Sequence, residues 1–439
     1  MDLRYEHIVT GRTESLFAED IRANADALRE ALSGQRIAVV GAAGSIGSAV
    51  VKTLLRFAPG ALTLIDLSEN NLVELVRDLR STDGLRLPPE FATLPIGLGS
   101  VEFARYFAES KPFDYFLNLS AIKHVRTERD VYCLLRMVDT NVLFLHEFLS
   151  RNPYRFKKVF SVSSDKATNP ANLMGASKMI MEKALLARSD VQPFSTARFA
   201  NVAFSDGSLP FGFLQRIAKR QPLSAPSDVR RYFISHQEAG ELCVLSCGLG
   251  ENRDVFFPNL AQGLDEKTFA DIARDLLAEL GYQPVECASE AEAKWGVEDG
   301  RWELGDREVG DGGSKTEDGM PKAAPISNLQ STNFLRKPWP CYFFKSDTTG
   351  EKEFEEFFAQ GEQLLLDRFK RVGIVKGMED GRWKMEDGGL GVAISDFLDF
   401  VRKAKADPTI TKVDYVREIH KLVPTLQHHE TGRNLDQKM

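Results

Sequence analysis

Six short apolar stretches, separated by segments in which apolar residues recur at helical spacing, constrain the fold of this chain more than any other feature. They are Arg36 to Val40, Ala61 to Ile65, Phe91 to Ile96, Asp114 to Asn118, Lys158 to Val162 and Phe194 to Phe199. Strands that alternate with helices pair in parallel, because each helix carries the chain back across the sheet. The pattern therefore predicts an α/β fold with a Rossmann-type, doubly wound parallel sheet.

A glycine-rich turn, Gly41-Ala42-Ala43-Gly44-Ser45-Ile46-Gly47, joins the first predicted strand to a helical stretch. Glycines here let a pyrophosphate approach the backbone, and the helix N-terminus supplies N–H groups and partial positive charge. Tight packing alone also explains glycines at such a turn. Asp66 favours the dinucleotide, because a carboxylate after the second strand binds both ribose hydroxyls, although a helix N-cap is an alternative role. Since that charge would repel a 2′-phosphate, we predict NAD held by Gly41, Gly44, Ser45, Ile46, Gly47 and Asp66.

The other parts of the 439-residue chain are predicted around an NAD-binding domain at residues 35–203. They are an N-terminal helical extension at 1–34 with a helix over 14–33, a smaller α+β substrate-binding domain at 204–287, and a variable Gly-rich and acidic excursion at 288–332. A C-terminal helical extension at 333–439 is predicted to complete the substrate domain. Its helices are expected at Glu351 to Val372, Ala393 to Ala406 and Lys412 to Leu422.

Composition excludes several classes of protein. A net charge of −7 argues against a general nucleic-acid binder. The five scattered cysteines lack the spacing of a disulfide framework or a zinc site, so we expect a reducing compartment and no metal. No stretch approaches the roughly 18 apolar residues of a membrane span. We therefore expect a cytoplasmic protein that binds neither nucleic acid nor membrane. We also expect the protein to form a homo-oligomer.

The sequence Ser163-Ser164-Asp165-Lys166 follows the fifth predicted strand, where ligands of parallel sheets bind. Downstream, Met174-Gly175-Ala176-Ser177-Lys178 has the frame Tyr-x-x-x-Lys with methionine in the place of tyrosine. Met174 and Lys178 lie one helical turn apart and face the same side. Methionine exchanges no protons, so any acid–base chemistry must use other groups. Solvated loop residues are the alternative explanation for Ser164, Asp165 and Lys166, and core packing is the alternative for Met174.

These residues together resemble the extended short-chain dehydrogenase/reductases. Within them, the chain is similar to the nucleotide-sugar 4,6-dehydratases of bacterial polysaccharide and nonulosonic-acid biosynthesis. The resemblance covers residues 35 to 285, through Gly41 to Gly47, Asn118 to Val125, Ser163 to Lys178, Arg198 to Val202 and Arg230 to Phe233. Methionine at position 174 agrees with a subset of these dehydratases that act on N-acetylhexosamine nucleotides.

The resemblance implies one tightly held NAD and three steps, namely oxidation at C4 of the sugar, elimination of water across C5 and C6, and reduction at C6. It makes Lys166 the base for the C5 proton and Asp165 the acid for the C6 hydroxyl. Ser164 would hydrogen-bond the C4 oxygen, Lys178 would bind the nicotinamide ribose, and Met174 would fill the space of a phenol ring. The acceptor of the C4 hydroxyl proton remains open among Asp165, Lys166 and a bound water, and our hypothesis is Asp165 or the water.

Residues after the fourth predicted strand are also assigned to the site. Ser120 and Ala121 would lie near the nicotinamide. Lys123 and His124 would contact cofactor or substrate, although surface salt bridges explain them nearly as well. Asn141 would brace this loop from the following helix, or it would bond to solvent.

Asn201 and Arg231 are the predicted ligands of the nucleotide-sugar diphosphate, because guanidinium groups bind diphosphates in bidentate fashion. Three further basic residues, Arg216, Lys219 and Arg220, are also candidate partners of the diphosphate. Exposure on a solvated helix face explains Lys219 and Arg220 about as well, so we favour Arg231. UDP-N-acetylglucosamine is the default substrate by resemblance, and the GDP form remains open. A nucleotide-sugar 4-epimerase is the alternative within enzymes, and a non-catalytic dinucleotide sensor or scaffold is the alternative outside them.

Overall fold

The computed structural model describes residues 5–152, 154–259, 266–298, 337–346, 355–377 and 389–428. Its helices are α1 Glu6–Thr10, α2 Ala18–Ala23, α3 Ala25–Leu32, α4 Ser45–Leu55, α5 Glu69–Ser81, α6 Val101–Glu109, α7 Val131–Val138, α8 Phe144–Arg151, α9 Leu173–Leu186, α10 Leu209–Ala218, α11 His236–Leu249, α12 Phe269–Glu279, α13 Glu290–Glu298, α14 Gly389–Ala406 and α15 Lys412–Leu422. Its strands are β1 Arg36–Val40, β2 Ala61–Ile65, β3 Glu90–Leu94, β4 Tyr115–Asn118, β5 Lys158–Val162, β6 Phe194–Ala197, β7 Asn201–Val202, β8 Leu223–Pro226, β9 Arg230–Arg231, β10 Phe233–Ile234, β11 Asp254–Pro258, β12 Lys267–Thr268, β13 Tyr282–Glu286, β14 Lys337–Phe344, β15 Leu364–Leu365 and β16 Val372–Val375.

The main sheet contains nine strands within the described residues, in the order β15-β16-β11-β6-β5-β4-β1-β2-β3. The seven strands from β11 to β3 pair in parallel. Helices connect them, and separate buried apolar clusters lie on the two faces. This confirms the predicted Rossmann-type sheet, and β1 to β6 lie within two residues of their predicted bounds.

The helix predicted over Glu351 to Val372 is wrong for the part that the structure describes. Instead, β15 and β16 pair antiparallel and extend the main sheet at β11, with Phe256 opposite Ile374. Val372, Ile374 and Val375 are buried. Backbone partners supplied by β11 determine this conformation, and local apolar spacing does not reveal such a partner.

The smaller region beside the sheet contains the parallel sheet β13-β14-β8 and two short strand pairs, β10-β7 and β12-β9. Strand β14 shows that residues after 332 complete this region with a strand, whereas helices were predicted to do so. Its apolar core includes Phe213, Trp339 and, from α1, Ile8 and Val9. The N-terminal extension therefore packs here too, and the single helix predicted over 14–33 is divided into α2 and α3 at Asn24.

Helices α14 and α15 pack against α9 of the Rossmann part. Lys183 Nζ on α9 donates to the Leu422 carbonyl of α15 at 2.5 Å. Of the predicted excursion, residues 290–298 form α13, and residues 299–332 lie outside the described residues. In the part of the chain that the structure describes, no helix is both long enough and apolar enough to cross a lipid bilayer.

Candidate active site

The glycine turn connects β1 to α4 at the carboxyl edge of the sheet. Gly41 has φ +74°, and a Cβ there would lie 2.7 Å from Ser120 N. A Cβ at Gly47 would lie 2.0 Å from the Gly41 carbonyl oxygen, so helix and turn need glycine to pack. At Gly44 a Cβ would meet the Gly41 oxygen at an ordinary 3.5 Å, and its φ of −75° suits any residue. Packing therefore explains Gly41 and Gly47, whereas Gly44 is open to the close approach of a ligand.

Asp66 lies beside this turn, after β2. Its carboxylate accepts from Ala43 N at 3.0 Å and from Ser68 N at 2.9 Å. Ser68, rather than Asp66, is the N-cap residue of α5. Each carboxylate oxygen keeps a further lone pair for a ribose hydroxyl. The residues Gly41, Gly44, Ser45, Ile46, Gly47 and Asp66 thus fit the adenosine diphosphate part of a dinucleotide, with the first turn of α4 supplying N–H groups.

The loop after β4 is fixed on both sides of Ala121. Ser120 N donates to Asn118 Oδ1 at 3.2 Å. Asn141 accepts from Ile122 N at 2.8 Å, and its Nδ2 donates to the Ile122 carbonyl at 3.0 Å and to Ser177 Oγ at 2.9 Å. The first alternative for Asn141 is correct, because this buried side chain braces the loop. It does so from a π-helical turn, Asp139–Leu143, between α7 and α8.

Asp165 and Lys166 lie together in a 3₁₀ turn, Asp165–Ala167, directly after β5. Lys166 Nζ is 3.2 Å from both carboxylate oxygens of Asp165. Ser164 Oγ donates to Asp165 Oδ1 at 2.7 Å and accepts from Lys166 N at 3.2 Å. Asp165 is buried and Lys166 is partly exposed. The three predicted catalytic side chains therefore form one hydrogen-bonded group at the carboxyl edge of the sheet.

Met174 is buried in the core, in the first turn of α9. Its backbone N donates to Glu128 Oε1 at 2.9 Å. One residue later, a Cβ at Gly175 would lie 2.4 Å from the Lys166 carbonyl oxygen. The Asp165–Lys166 turn therefore rests directly on α9, and glycine at 175 permits that approach.

Lys178 is buried one helical turn after Met174. Its Nζ donates to the Val162 carbonyl, the last residue of β5, at 3.0 Å. Burial lowers its pKa to about 8, while the nearby Glu182 acts in the opposite direction. Lys178 is thus held against the strand that carries Ser164 and Asp165.

Lys123 and His124 both contact the loop after β7. Lys123 Nζ donates to Ser205 Oγ at 3.2 Å, and the His124 ring lies against Gly207, where a Cβ would be 2.6 Å from Nε2. Desolvation lowers the pKa of Lys123, and Asp206 opposes this effect. Asp206 N also donates to Ser45 Oγ at 2.9 Å. The loop after β7 therefore joins the glycine turn to the β4 loop.

Asn201 and Arg231 meet at a carboxylate that sequence reasoning missed, that of Glu355. Asn201 Nδ2 donates to Glu355 Oε1 at 2.5 Å, and Tyr232 N donates to Oε2 at 3.1 Å. Arg231 Nε lies 4.0 Å from Oε1. Burial raises the pKa of Glu355 to about 8, the charge of Asp165 adds to this, and Lys166, Arg231 and the Tyr232 N–H oppose it. A residue from the C-terminal part of the chain thus lies beside the predicted catalytic group.

A buried ion network fixes residues 355–362, here called the Glu355 segment. Arg198 donates to the Phe357 carbonyl at 3.0 Å, contacts Glu362 at 3.4 Å and binds Glu182 of α9 at 2.7 Å. Ser163 Oγ donates to Glu182 Oε1 at 2.6 Å. Phe357 stacks on Phe257 with ring centroids 6.3 Å apart. Glu182 and Arg198 therefore hold together Ser163, which follows β5, helix α9 and the Glu355 segment.

This site combines a turn suited to a dinucleotide with an Asp165–Lys166 ion pair, a buried lysine and a second carboxyl, that of Glu355, whose pKa is raised by burial. Such groups can hold a nucleotide and move protons at a substrate carbon and its hydroxyls. The arrangement lies at the edge of a parallel sheet where strand order reverses between β1 and β4, which is the usual ligand position in such folds.

The fold is similar to that of a solved structure. Pen from Bacillus thuringiensis superposes with a TM-score of 0.57 at 16% identity, over 85% of this chain and 98% of that one. At this identity the similarity concerns the fold alone.

Sequence relatives align with a little over half of this chain. One is a protein of Methanocaldococcus jannaschii named as an uncharacterized membrane protein, which is 28% identical over 256 residues, 56% of this chain and 73% of its own length. Another is the capsular polysaccharide biosynthesis protein CapD of Staphylococcus aureus, 27% identical over 252 residues, 56% of this chain and 41% of CapD. The aligned region thus represents less than half of CapD. A profile of the polysaccharide biosynthesis protein family matches residues 37–300, more than half of the chain, and the chain therefore belongs to that family.

Proposed function

We propose that the protein is an NAD-dependent nucleotide-sugar 4,6-dehydratase that acts on a nucleotide-linked N-acetylhexosamine, with UDP-N-acetylglucosamine as the first candidate. Its product would be the 4-keto-6-deoxy sugar, for surface-glycan or nonulosonic-acid biosynthesis. The observation that carries the proposal is the contact of Lys166 Nζ with both carboxylate oxygens of Asp165, at 3.2 Å. Elimination of water needs such an acid and base side by side.

The proposed roles of the pair require one proton to move between its two members. Transfer of one proton from Lys166 to Asp165 gives a neutral amine and a carboxylic acid. The amine removes the C5 proton, and the acid protonates the C6 hydroxyl as it leaves as water. A ketone at C4 makes the C5 proton acidic enough for this step. Ser164 supports the acid, since its hydroxyl donates to Asp165 Oδ1.

The cofactor would be held by the glycine turn, Asp66, Ser120, Ala121 and Lys178, and NAD would accept hydride from C4 and return it to C6. Met174 places a thioether where related enzymes have a phenol, so proton transfer does not depend on position 174. Asn201, Arg231, Lys123 and His124 are the proposed contacts with the nucleotide sugar. Two contacts of the loop after β7 support these substrate contacts. Ser205 accepts a hydrogen bond from Lys123, and the next residue, Asp206, donates to Ser45 of the glycine turn.

The test is incubation of the purified protein with UDP-N-acetylglucosamine in deuterated water, followed by NMR of the sugar. The expected product is a 4-keto-6-deoxy sugar with deuterium at C5. A C4 epimer that keeps its C6 hydroxyl would favour the epimerase alternative. Unchanged UDP- and GDP-N-acetylglucosamine would contradict the proposed activity and favour a non-catalytic dinucleotide-binding protein.

A further inference from the structure

We propose that Glu355 is the catalytic base that accepts the proton of the C4 hydroxyl, the role left open by methionine at position 174. The inference rests on the proposed function, because it concerns the oxidation step of that reaction. It assigns a catalytic residue to the C-terminal part of the chain, outside the region matched by the family profile.

The position of Glu355 is the first argument. Its carboxylate is buried among groups from three parts of the fold, Asn201 of β7, Tyr232 between β9 and β10, and the Asp165–Lys166 turn. The first two donate hydrogen bonds to it, and Asp165 lies close enough for its charge to raise the pKa of Glu355. The carboxylate therefore lies close enough to the predicted acid–base pair for their charges to interact.

The charges around Glu355 suit a base that works near neutral pH. Burial and Asp165 raise its pKa to about 8, whereas Lys166, Arg231 and the Tyr232 N–H limit the rise. A general base is most effective when its pKa is near the working pH, because it is then both present in the ionised form and basic enough. An ordinary glutamate, with a pKa of about 4.3, is a much weaker acceptor for an alkyl hydroxyl proton.

The fixed position of the Glu355 segment is the third argument. Arg198 and Glu362, both fully buried, hold the segment just after Glu355, and Phe357 stacks on Phe257. A base must be held within hydrogen-bond reach of its proton, and these contacts supply that constraint.

Tyr232 is the competing candidate, because it brings a phenol to the same neighbourhood. Burial raises its pKa, and Glu266, which hydrogen-bonds the side chain, raises it further, as does Glu355. Burial and both glutamates make the phenolate harder to form. The phenol is thus occupied by Glu266 and its pKa is shifted in the direction opposite to that of a useful base.

The chemical step balances without another reagent. The O4–H bond breaks and its proton goes to a carboxylate oxygen of Glu355, while the electron pair of that bond completes the C4 carbonyl. Hydride leaves C4 for the NAD of the proposed reaction, so the sugar is oxidised and the cofactor is reduced. Hydride returns to C6 and C4 stays a ketone, so this proton does not go back to the sugar. Before the next turnover Glu355 releases it to solvent, and Asp165 regains from solvent the proton that it gave to the leaving water.

The kinetic test compares E355Q with E356Q, an adjacent glutamate-to-glutamine change on the exposed side of the same segment. After rapid mixing with saturating UDP-N-acetylglucosamine, we expect NADH formation in E355Q to be at least about 100-fold slower, the usual size of a general-base contribution. E356Q should match the unmodified protein. E355D should recover part of the rate, because it keeps a carboxyl group.

A second measurement separates catalysis from support of the structure. With the 4-keto sugar supplied directly, E355Q should still exchange the C5 proton with deuterated water, because that step belongs to Lys166. Infrared spectra of the nucleotide-free protein should show a protonated carboxylic acid at about pH 6.5 that ionises by about pH 9.5 and is missing in E355Q.

Two results would overturn the assignment of Glu355. They are full-rate NADH formation by E355Q, or the absence of any difference between E355Q and the unmodified protein in the infrared titration. Failure of the proposed function is recognisably different: the unmodified protein would then form neither NADH nor product with UDP- and GDP-N-acetylglucosamine. The infrared result would still decide whether Glu355 titrates as a base near neutrality.

Discussion

Arg198 binds Glu182 through two hydrogen bonds, from Nε at 2.9 Å and Nη2 at 2.7 Å, and both side chains are fully buried. The pair joins β6 to α9, and the remaining guanidinium nitrogen reaches Phe357 and Glu362. An ion network of this kind is costly to bury and costly to break. Because the network lies between α9 and the Glu355 segment, it fixes the position of that segment relative to the helix.

Replacing Arg198 with methionine should destabilise the protein by about 3–5 kcal/mol, because two buried carboxylates lose their cation. Urea unfolding measures this loss. R29M is the control, since Arg29 pairs with Asp26 on an exposed surface and should contribute about 0–1 kcal/mol. Hydrogen exchange at the amides of Ala359 and Glu362 should also accelerate in R198M. Unchanged exchange there would show that Arg198 does not hold the Glu355 segment.

A methyl group at position 175 should disturb catalysis more than folding. In G175A the new Cβ would lie 2.4 Å from the Lys166 carbonyl oxygen, so the Asp165–Lys166 turn must move. A displacement near 1 Å costs up to about 100-fold in rate, and we expect a loss of 10- to 100-fold in C5 deuterium exchange. G212A is matched, because it also lies in a helix but its Cβ would meet Arg216 at 3.5 Å. Full exchange activity in G175A would contradict the proposed dependence on this contact.

The sequence predicts the parts of the site that depend on local pattern. β1, β2 and β5 have their predicted bounds, as does α15, and Asn141 braces the loop from the helix in which it was placed. Glu355 carries no such signal. It lies in Glu355-Glu356-Phe357-Phe358, where the spacing predicts a helix, and contacts with Arg198 and Phe257 from distant strands determine its place. Tertiary contacts therefore determine the position of Glu355, and no sequence motif predicts that position.

Asn141 should be intolerant of even an isosteric change. In N141D the carboxylate still accepts from Ile122 N, but it no longer donates to the Ile122 carbonyl or to Ser177 Oγ. A buried acceptor without its donor costs about 1–3 kcal/mol, more when the replacement carries charge. Thermal unfolding of N141D should show this loss, whereas N70D, on the exposed first turn of α5, should be within about 0.5 kcal/mol of the unmodified protein. Equal effects of the two changes would contradict the bracing role.

Lys178 should make stability depend on pH in the alkaline range. Its folded pKa is about 8, below the unfolded value of about 10.4. Between these values the unfolded chain binds a proton that the folded chain does not, so stability rises with pH. Relative to K178M, the nucleotide-free protein should gain up to about 3 kcal/mol from about pH 7.5 to about pH 10.5. Urea unfolding of both proteins at the two pH values measures the difference, and a constant difference would show that Lys178 keeps its ordinary pKa.

Variants of the Asp165–Lys166 pair should block steps different from the step blocked in E355Q. K166A should form NADH but lose C5 deuterium exchange, because it lacks the base for that proton. D165N should also form NADH, yet yield at least about 100-fold less dehydrated product, because the leaving hydroxyl lacks its acid.

Removing the charge of Asp165 also removes one cause of the raised pKa of Glu355, so the rise of NADH formation with pH should shift to lower pH in D165N. Stopped-flow absorbance across this pH range measures that shift. If D165N instead lost NADH formation while E355Q kept it, Asp165 would be the acceptor of the C4 proton, one of the two candidates in our hypothesis from the sequence, and Glu355 would have no part in that step.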